Sequence, residues 1–364
     1  MGELISKAEV ERCGDKQLPV LSMTMHDGIV RQRERFKKSI ASKDTSNYKV
    51  VYPQQLVVGF PIDEGVIYVQ NFDEPGIMSP AYNVWDVDIF KVHPAYLELA
   101  LHSPQIMTYY KVQMKGTTAR RRTLSTDKLR DIKVPLPPIG KQVEIVARFH
   151  CVKELMRVCD EQTSSLDALV KSRFVEMFGG SSLATRTIGE LATDIRYGTS
   201  KKSSDEGRYT YLRMNNMTDD GRLDFADTKR ITLDGSELDK CLVHKGDLLF
   251  NRTNSREKVG KTAVFEEDEP MVIAGYIIRV RLVPDIRSRY LCAYMNLPHV
   301  KEQLRAMAKG AVHQANINAK QLGTIQVPVP RISQQDEFIS FVSRVDKLRF
   351  VVIEFHECRC SPIG

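Results

Sequence analysis

No stretch of the 364 residues comes near the roughly 18 uncharged apolar residues needed to cross a bilayer, so no membrane span is expected. The opening Met1-Gly2-Glu3-Leu4-Ile5 is acidic and has no basic n-region ahead of an apolar run, so no secretory signal peptide is expected either. Cysteine is sparse. There are seven, an odd number, scattered from Cys13 to Cys360, whereas a disulfide framework needs pairs at dense spacing. Cys358-Arg359-Cys360 has no histidine or second cysteine pair nearby to complete a zinc set. The expectation is a reduced, cytoplasmic protein that binds no metal.

Signatures of catalysis are also missing. Val259-Gly260-Lys261-Thr262 ends like a phosphate-binding loop, but Ser255 stands where that motif needs its first glycine. Ser79-Pro80-Ala81-Tyr82 lacks the leading amide and the second proline of the tetrapeptide that holds the target amine in amino-methyltransferases, and no glycine-rich cofactor loop accompanies it. The eight histidines never fall at i, i+4 with a glutamate between them, which excludes a metalloprotease helix. Charge of one sign is only modestly in excess. Lys plus Arg is 53 against 46 for Asp plus Glu, a formal +7 that permits a polyanionic partner without requiring one.

The chain does contain a duplication. Tyr96 to Pro104 and on to Lys115-Gly116 reads like Tyr290 to Pro298 and on to Lys309-Gly310, at a constant offset of 194. Shortly after, Leu129 to Glu144 aligns with Leu322 to Glu337 at an offset of 193, with eight identities in 16 positions. A period this long is no solenoid and indicates two copies of one unit. Each copy starts with a stretch of short strand-like runs, such as Val66-Ile-Tyr-Val69 and Asp247-Leu-Leu-Phe250, separated by turn signals such as Asp219-Asp-Gly221. Next comes Val-Pro-x-Pro, at Val134 and again at Val327, where two prolines rigidify an extended segment.

A helix is predicted after each proline pair. Ile139 to Phe178 has no proline and ends at Gly179-Gly180, and about 40 residues make a rod of roughly 60 Å. A 3–4 seam runs through Phe149, Val152, Met156 and Leu166, matched after Pro330 by Val342, Val345 and Val352, with Arg349 in the place of Met156. The fold class expected is α+β: two similar domains separated by two long antiparallel helices that form a coiled coil, related by a pseudo-two-fold. The alternative is that each helix packs only on its own domain. The domain limits expected are 1–138 and 181–330 for the two modules, 139–180 for the first helix, and 331–364 for the second helix and tail.

Three segments carry side chains suited to nucleic acid. Asn251-Arg252-Thr253-Asn254, with Arg256, follows a strand and offers the residue types that read adenine and guanine edges. Thr117, Arg120, Arg121 and Arg122 form a cationic cluster whose counterpart in the second copy holds His313, Gln314 and Asn316, as two modules reading different sequences require. The third is the basic run Arg31 to Lys38, which reads equally as a solvated charged face.

The twice-occurring Val-Pro-x-Pro-x-Ile-x-x-Gln-x-Glu before a long helix resembles the specificity (S) subunit of type I DNA restriction–modification enzymes. Gly246 to Ser255, Val259 to Val264 and Ile188 to Thr199 are similar to stretches of that family's target recognition domains. The first module is expected to begin near Lys16, without a counterpart of the Ile188–Thr199 opening. The resemblance implies a non-catalytic subunit whose two target recognition domains each read half of a split double-stranded DNA site, with the helices as spacer. It further implies two modification subunits that bring S-adenosylmethionine and methylate adenine, and restriction subunits that use ATP and Mg; no cofactor is expected in this chain. Two rivals are an enzyme with diverged motifs and a structural adaptor that binds protein without touching nucleic acid.

Overall fold

Gln55-Leu-Val-Val58 and Val66-Ile-Tyr-Val69 are short runs rich in β-branched residues, and they pair as an antiparallel hairpin, Leu56 opposite Val69 and Val58 opposite Ile67. The computed structural model of the chain describes residues 1–35, 44–113, 124–180, 183–311 and 314–360, with side chains described except at 311 and 352–360. Contacts divide it into two units, Met1–Glu154 and Leu155–Gly364.

In the first unit the hairpin is half of an antiparallel sheet ordered Ile5–Lys7, Asn83–Val87, Leu56–Val58, Ile67–Val69. Because side chains alternate across a strand, Leu56 and Val58 face one core while Val57 faces another. The first core is closed by helices Pro94–Leu101 and Pro104–Gln113, through Leu97, Leu101, Ile106 and Tyr110. The second is closed by Leu21, Val51 and Met78, from a layer in which Lys49–Val51 pairs with Gly76–Met78 and Leu21–Met23 with Ile29–Arg31.

The second unit repeats this plan strand for strand. Its sheet runs Ala192–Tyr197, Ile277–Leu282, Leu248–Asn251, Thr262–Val264, again antiparallel throughout. Leu248 and Phe250 face the helix-covered core, and Leu249 faces the other. The second layer is ordered Lys229–Ile231, Tyr209–Leu212, Met271–Ile273, Leu242–Val243. Its one parallel step, Tyr211 beside Val272, has its counterpart in the parallel bridge of Val20 with Ile77. Both junctions before the long helices are tied by a tyrosine: Tyr96 Oη donates to the Pro135 carbonyl and Tyr290 Oη to the Pro328 carbonyl, each at 2.9 Å.

One expectation from the sequence is overturned. The first unit does not begin near Lys16, because Met1-Gly2-Glu3-Leu4 is the counterpart of Ile188-Gly189-Glu190-Leu191. Met1 N donates to Ile132 O at 2.7 Å, as Ile188 N donates to Ile325 O at 2.9 Å, and Leu4 and Leu191 are both buried.

The long helices are Ile139–Phe178 and Ile332–Cys360. Within the second unit the end of the first lies antiparallel to the second. The rings of Phe174 and Phe338 sit 5.3 Å apart, edge to face, Arg173 pairs with Glu337, and further along Asp167 pairs with Arg349. Burial of the anticipated seam follows that contact. Val345 is buried and Val342 packs against the core, whereas Leu166 is half-buried. Phe149, Val152 and Met156, expected in the seam, remain 51%, 37% and 47% exposed. Periodicity gave them a common face but not a partner. The Val352 side chain lies outside the described residues. Among the described residues, no helix is long and apolar enough to cross a membrane.

Candidate nucleic-acid interface

Strand Leu248–Asn251 continues past its hairpin partner, and its extension Thr253–Asn254 pairs with Gln314–Asn316, which pairs in turn with Lys309–Ala311. This three-stranded ribbon brings together two of the sequence segments singled out above, 251–256 and 314–316. Opposite it lies the strand end Tyr197-Gly198-Thr199. A Cβ on Gly198 would sit 2.2 Å from the Ile273 carbonyl oxygen, so only glycine lets this chain pass so close to its neighbour.

Arg252 lies at the centre. Its guanidinium rests over the Tyr197 ring, 4.8 Å from the centroid, and donates to Asn316 Oδ1 at 3.2 Å and to the Gly275 carbonyl at 3.4 Å. Tyr197 is fixed in turn, its hydroxyl accepting the Ala319 N–H at 2.8 Å. Asn316 donates to Thr253 Oγ1 at 2.8 Å, so one amide holds both the arginine and the neighbouring strand.

Not every anticipated reader is presented to a ligand. Asn251 is fully buried: its amide donates to the carbonyls of Thr253 and Tyr276, and its oxygen accepts from Asn254 Nδ2 at 3.0 Å. Thr253 is only 7% exposed. These two build the ribbon, since a buried amide left unbonded is costly. Asn254 also closes its own loop, its oxygen accepting the Ser255 N–H. Arg256 and Gln314 are exposed, and Arg252 is half-buried. The sequence reading missed Tyr197 and Tyr276, which are 41% and 52% exposed beside the ribbon. The signal available was an aromatic followed by a constrained glycine, Tyr197-Gly198, at a strand end.

Thr117, Arg120, Arg121, Arg122 and His313 lie outside the described residues. In the basic run, Arg31 bonds Glu74 at 2.7 Å and covers the Phe72 ring, and Arg35 pairs with Asp27 at 2.9 Å. Those cations belong to a solvated, locally paired face. Val259-Gly260-Lys261-Thr262 runs into strand Thr262–Val264 rather than a helix, so it forms no backbone phosphate cradle. No group of residues able to hold a metal occurs among the described residues.

Electrostatics around the second unit's sheet stabilise it. Burial pushes the Asp194 carboxyl up, but its bonds to Arg196 and to the buried Arg279 outweigh that and hold it below the usual range. Bonds from Lys201 and then Thr199 hold the half-buried Glu237 carboxyl low, tying helix Gly235–Cys241 to the Tyr197–Thr199 strand end.

Comparison with known proteins agrees with this architecture. Residues 181–353 match the type I restriction modification DNA specificity domain. The chain is 24% identical over 240 residues to the EcoKI specificity subunit of Escherichia coli, covering 60% of this chain and 50% of that one. It is also 27% identical over 168 residues, 45% of this chain, to a Methanocaldococcus jannaschii protein that carries the name of the MjaX specificity subunit. The chain thus spans half or less of the length of these relatives, 50% and 39%. Among solved structures, the type I S subunit from M. genitalium has a similar fold, with a TM-score of 0.53 at 11% identity over 98% of this chain and 91% of that one. A chain from a type I restriction–modification assembly gives 0.51 at 17% identity, over 98% and 91%. The second unit thus carries the type I restriction modification DNA specificity domain, and the chain is similar in sequence and fold to type I specificity subunits.

Proposed function

We propose that this chain is the DNA-addressing subunit of a type I restriction–modification enzyme: it reads a bipartite double-stranded site and performs no chemistry itself. The observation that carries the reading is the repetition of one sheet order in two units, each feeding a long helix through the same proline-bound tyrosine junction. Two copies of one scaffold with different loops suit two different half-sites. In the second unit, Arg252 supplies base readout, aimed by Tyr197 and Asn316, while Arg256 and Gln314 make outer contacts. In the first unit, Thr117, Arg120, Arg121 and Arg122, and in the second His313, take the corresponding roles. The long helices set the spacing between half-sites and dock the partners: two methyltransferase subunits that bring S-adenosylmethionine, and restriction subunits that use ATP and Mg.

Salt titration tests this reading. A chain that neutralises several phosphates loses affinity linearly on a log–log plot of binding constant against salt, with a slope near −0.9 per phosphate. A flat response, or no binding to duplex DNA, refutes the proposal and favours a protein-binding adaptor.

A further inference from the structure

The loop between strands Leu248–Asn251 and Thr262–Val264 has two arms. The first, 252–256, forms the interface above. The second, 257–261, lines a separate cleft of about 460 Å³ with helix Pro298–Met307 and the end of the first long helix. Gly260 makes that fit possible: its φ is +86°, and a Cβ there would lie 2.8 Å from Leu304 Cδ1. Five cations line the cleft, Lys171, Lys258, Lys261, Lys301 and Arg305, against the carboxylates of Asp219, Glu257 and Glu302.

The charges are not balanced internally. Lys261 pairs with Asp219 at 2.9 Å. Lys171, Lys258 and Arg305 are exposed and form no ion pair among the described residues. Lys301 reaches inward, where its ammonium donates to the Gly260 carbonyl at 2.7 Å, a neutral partner. Setting the Lys261–Asp219 pair aside leaves four cations and two carboxylates, a net +2. Burial pulls the Lys301 ammonium down to about 8, and the nearby positive charges of Arg305 and Lys171 pull the same way, while Cys292 and Asp219 oppose. A bound anion would relieve that repulsion.

We propose that this cleft is a phosphate site, gripping a backbone phosphodiester of the DNA whose bases face the other arm of the same loop. The site rests on the DNA-addressing reading and extends it: the grip is held by side-chain cations on the loop's second arm and two helices, outside the ribbon that reads bases. Backbone contacts of this kind carry affinity and register but no sequence information.

The test uses the full chain, a random-sequence duplex and inorganic phosphate. Lys258→Ala/Arg305→Ala removes two exposed cations without touching the core, and Lys301→Met keeps the aliphatic stem while deleting the inner charge. Either variant is expected to weaken random and selected duplexes alike by roughly tenfold, and to make the salt slope shallower by about one to two. Inorganic phosphate is expected to bind the parent chain weakly, compete with duplex, and lose that binding in the variants. Unchanged affinity and slope in both variants overturn the phosphate site, while duplex binding by the parent chain leaves the addressing role standing. Phosphate binding that the variants abolish, with duplex binding intact, reassigns the cleft to a free phosphate compound and overturns the DNA assignment. A parent chain that binds no duplex at all refutes both.

Discussion

Gln335 Oε1 accepts the Arg287 N–H at 2.8 Å, and in the first unit Gln142 Oε1 accepts the His93 N–H at the same 2.8 Å. The amide nitrogens donate to the carbonyls of Pro330 and Pro137, at 2.9 and 2.8 Å. Each glutamine therefore stitches the start of a long helix to the proline segment before it and to the chain entering the preceding helix pair. Both are buried, at 0% and 1% exposure, and Gln335 also donates to the Asp285 carbonyl at 3.0 Å, so internal bonds satisfy the amides. The glutamine of the repeated motif is thus a joint that sets where each helix leaves its unit.

Replacing that joint tests its weight. Gln335→Leu leaves the Arg287 N–H and the Pro330 and Asp285 carbonyls without their partner and should cost about 2–4 kcal/mol in urea unfolding of the full chain. Gln142→Leu should cost a similar amount. A loss below about 0.5 kcal/mol in both, the range of an ordinary surface substitution, contradicts the joint.

Arg252→Ala should cost about 1–3 kcal/mol on a selected duplex and relax preference at one position. Arg252→Lys should not restore it, because an ammonium can neither lie flat on the Tyr197 ring nor fork to Asn316. Equal losses on selected and random duplexes would show a phosphate contact instead.

The helix pairing in the second unit rests partly on Arg349, 5% exposed, bonded to Asp167 and near Asp220. Asp167→Ala strands a buried guanidinium and should destabilise the chain by about 2–4 kcal/mol. Asp167→Leu/Arg349→Met should recover most of that. A double variant no better than the single one argues that packing around Phe174 and Phe338, not the ion pair, holds the helices here.

Lys301 predicts a pH dependence of stability. Burial holds its ammonium down to about 8 in the folded chain, against the ordinary lysine value of 10.5 when unfolded. Between these pH values the unfolded chain binds the extra proton, so stability from this group rises as pH climbs from 8 toward 10.5. The parent chain should therefore gain urea midpoint relative to Lys301→Met over that window. Parallel curves contradict the buried ammonium.

Much of this was legible in the sequence because duplication and proline leave marks at fixed offset. The helix limits Ile139–Phe178 follow from where glycine and proline are missing. The opening of the first unit escaped notice for a physical reason. Met1 and Ile188 differ by 187 positions, Gln142 and Gln335 by 193, because connecting loops are free to vary where strands are not. The turn spanning 24–28 in the first unit is the loop spanning 213–228 in the second. Asn251 and Thr253 looked like readers by residue type. Thr253 is covered by its pairing with Asn316 about 60 positions away, and the Asn251 amide bonds the Tyr276 carbonyl 25 positions away, neither of which a local pattern records. Phe149, Val152 and Met156 show the converse: the apolar stripe was visible, but its exposure was not.

The most direct test of the central claim is selection of duplexes bound by the full chain from a random library, read by sequencing. Two short motifs separated by an unselected gap of fixed length are predicted, with Arg252→Ala loosening only one of them. Enrichment of a single uninterrupted motif, or of none, would contradict an account in which two copies of one scaffold each read half of a site.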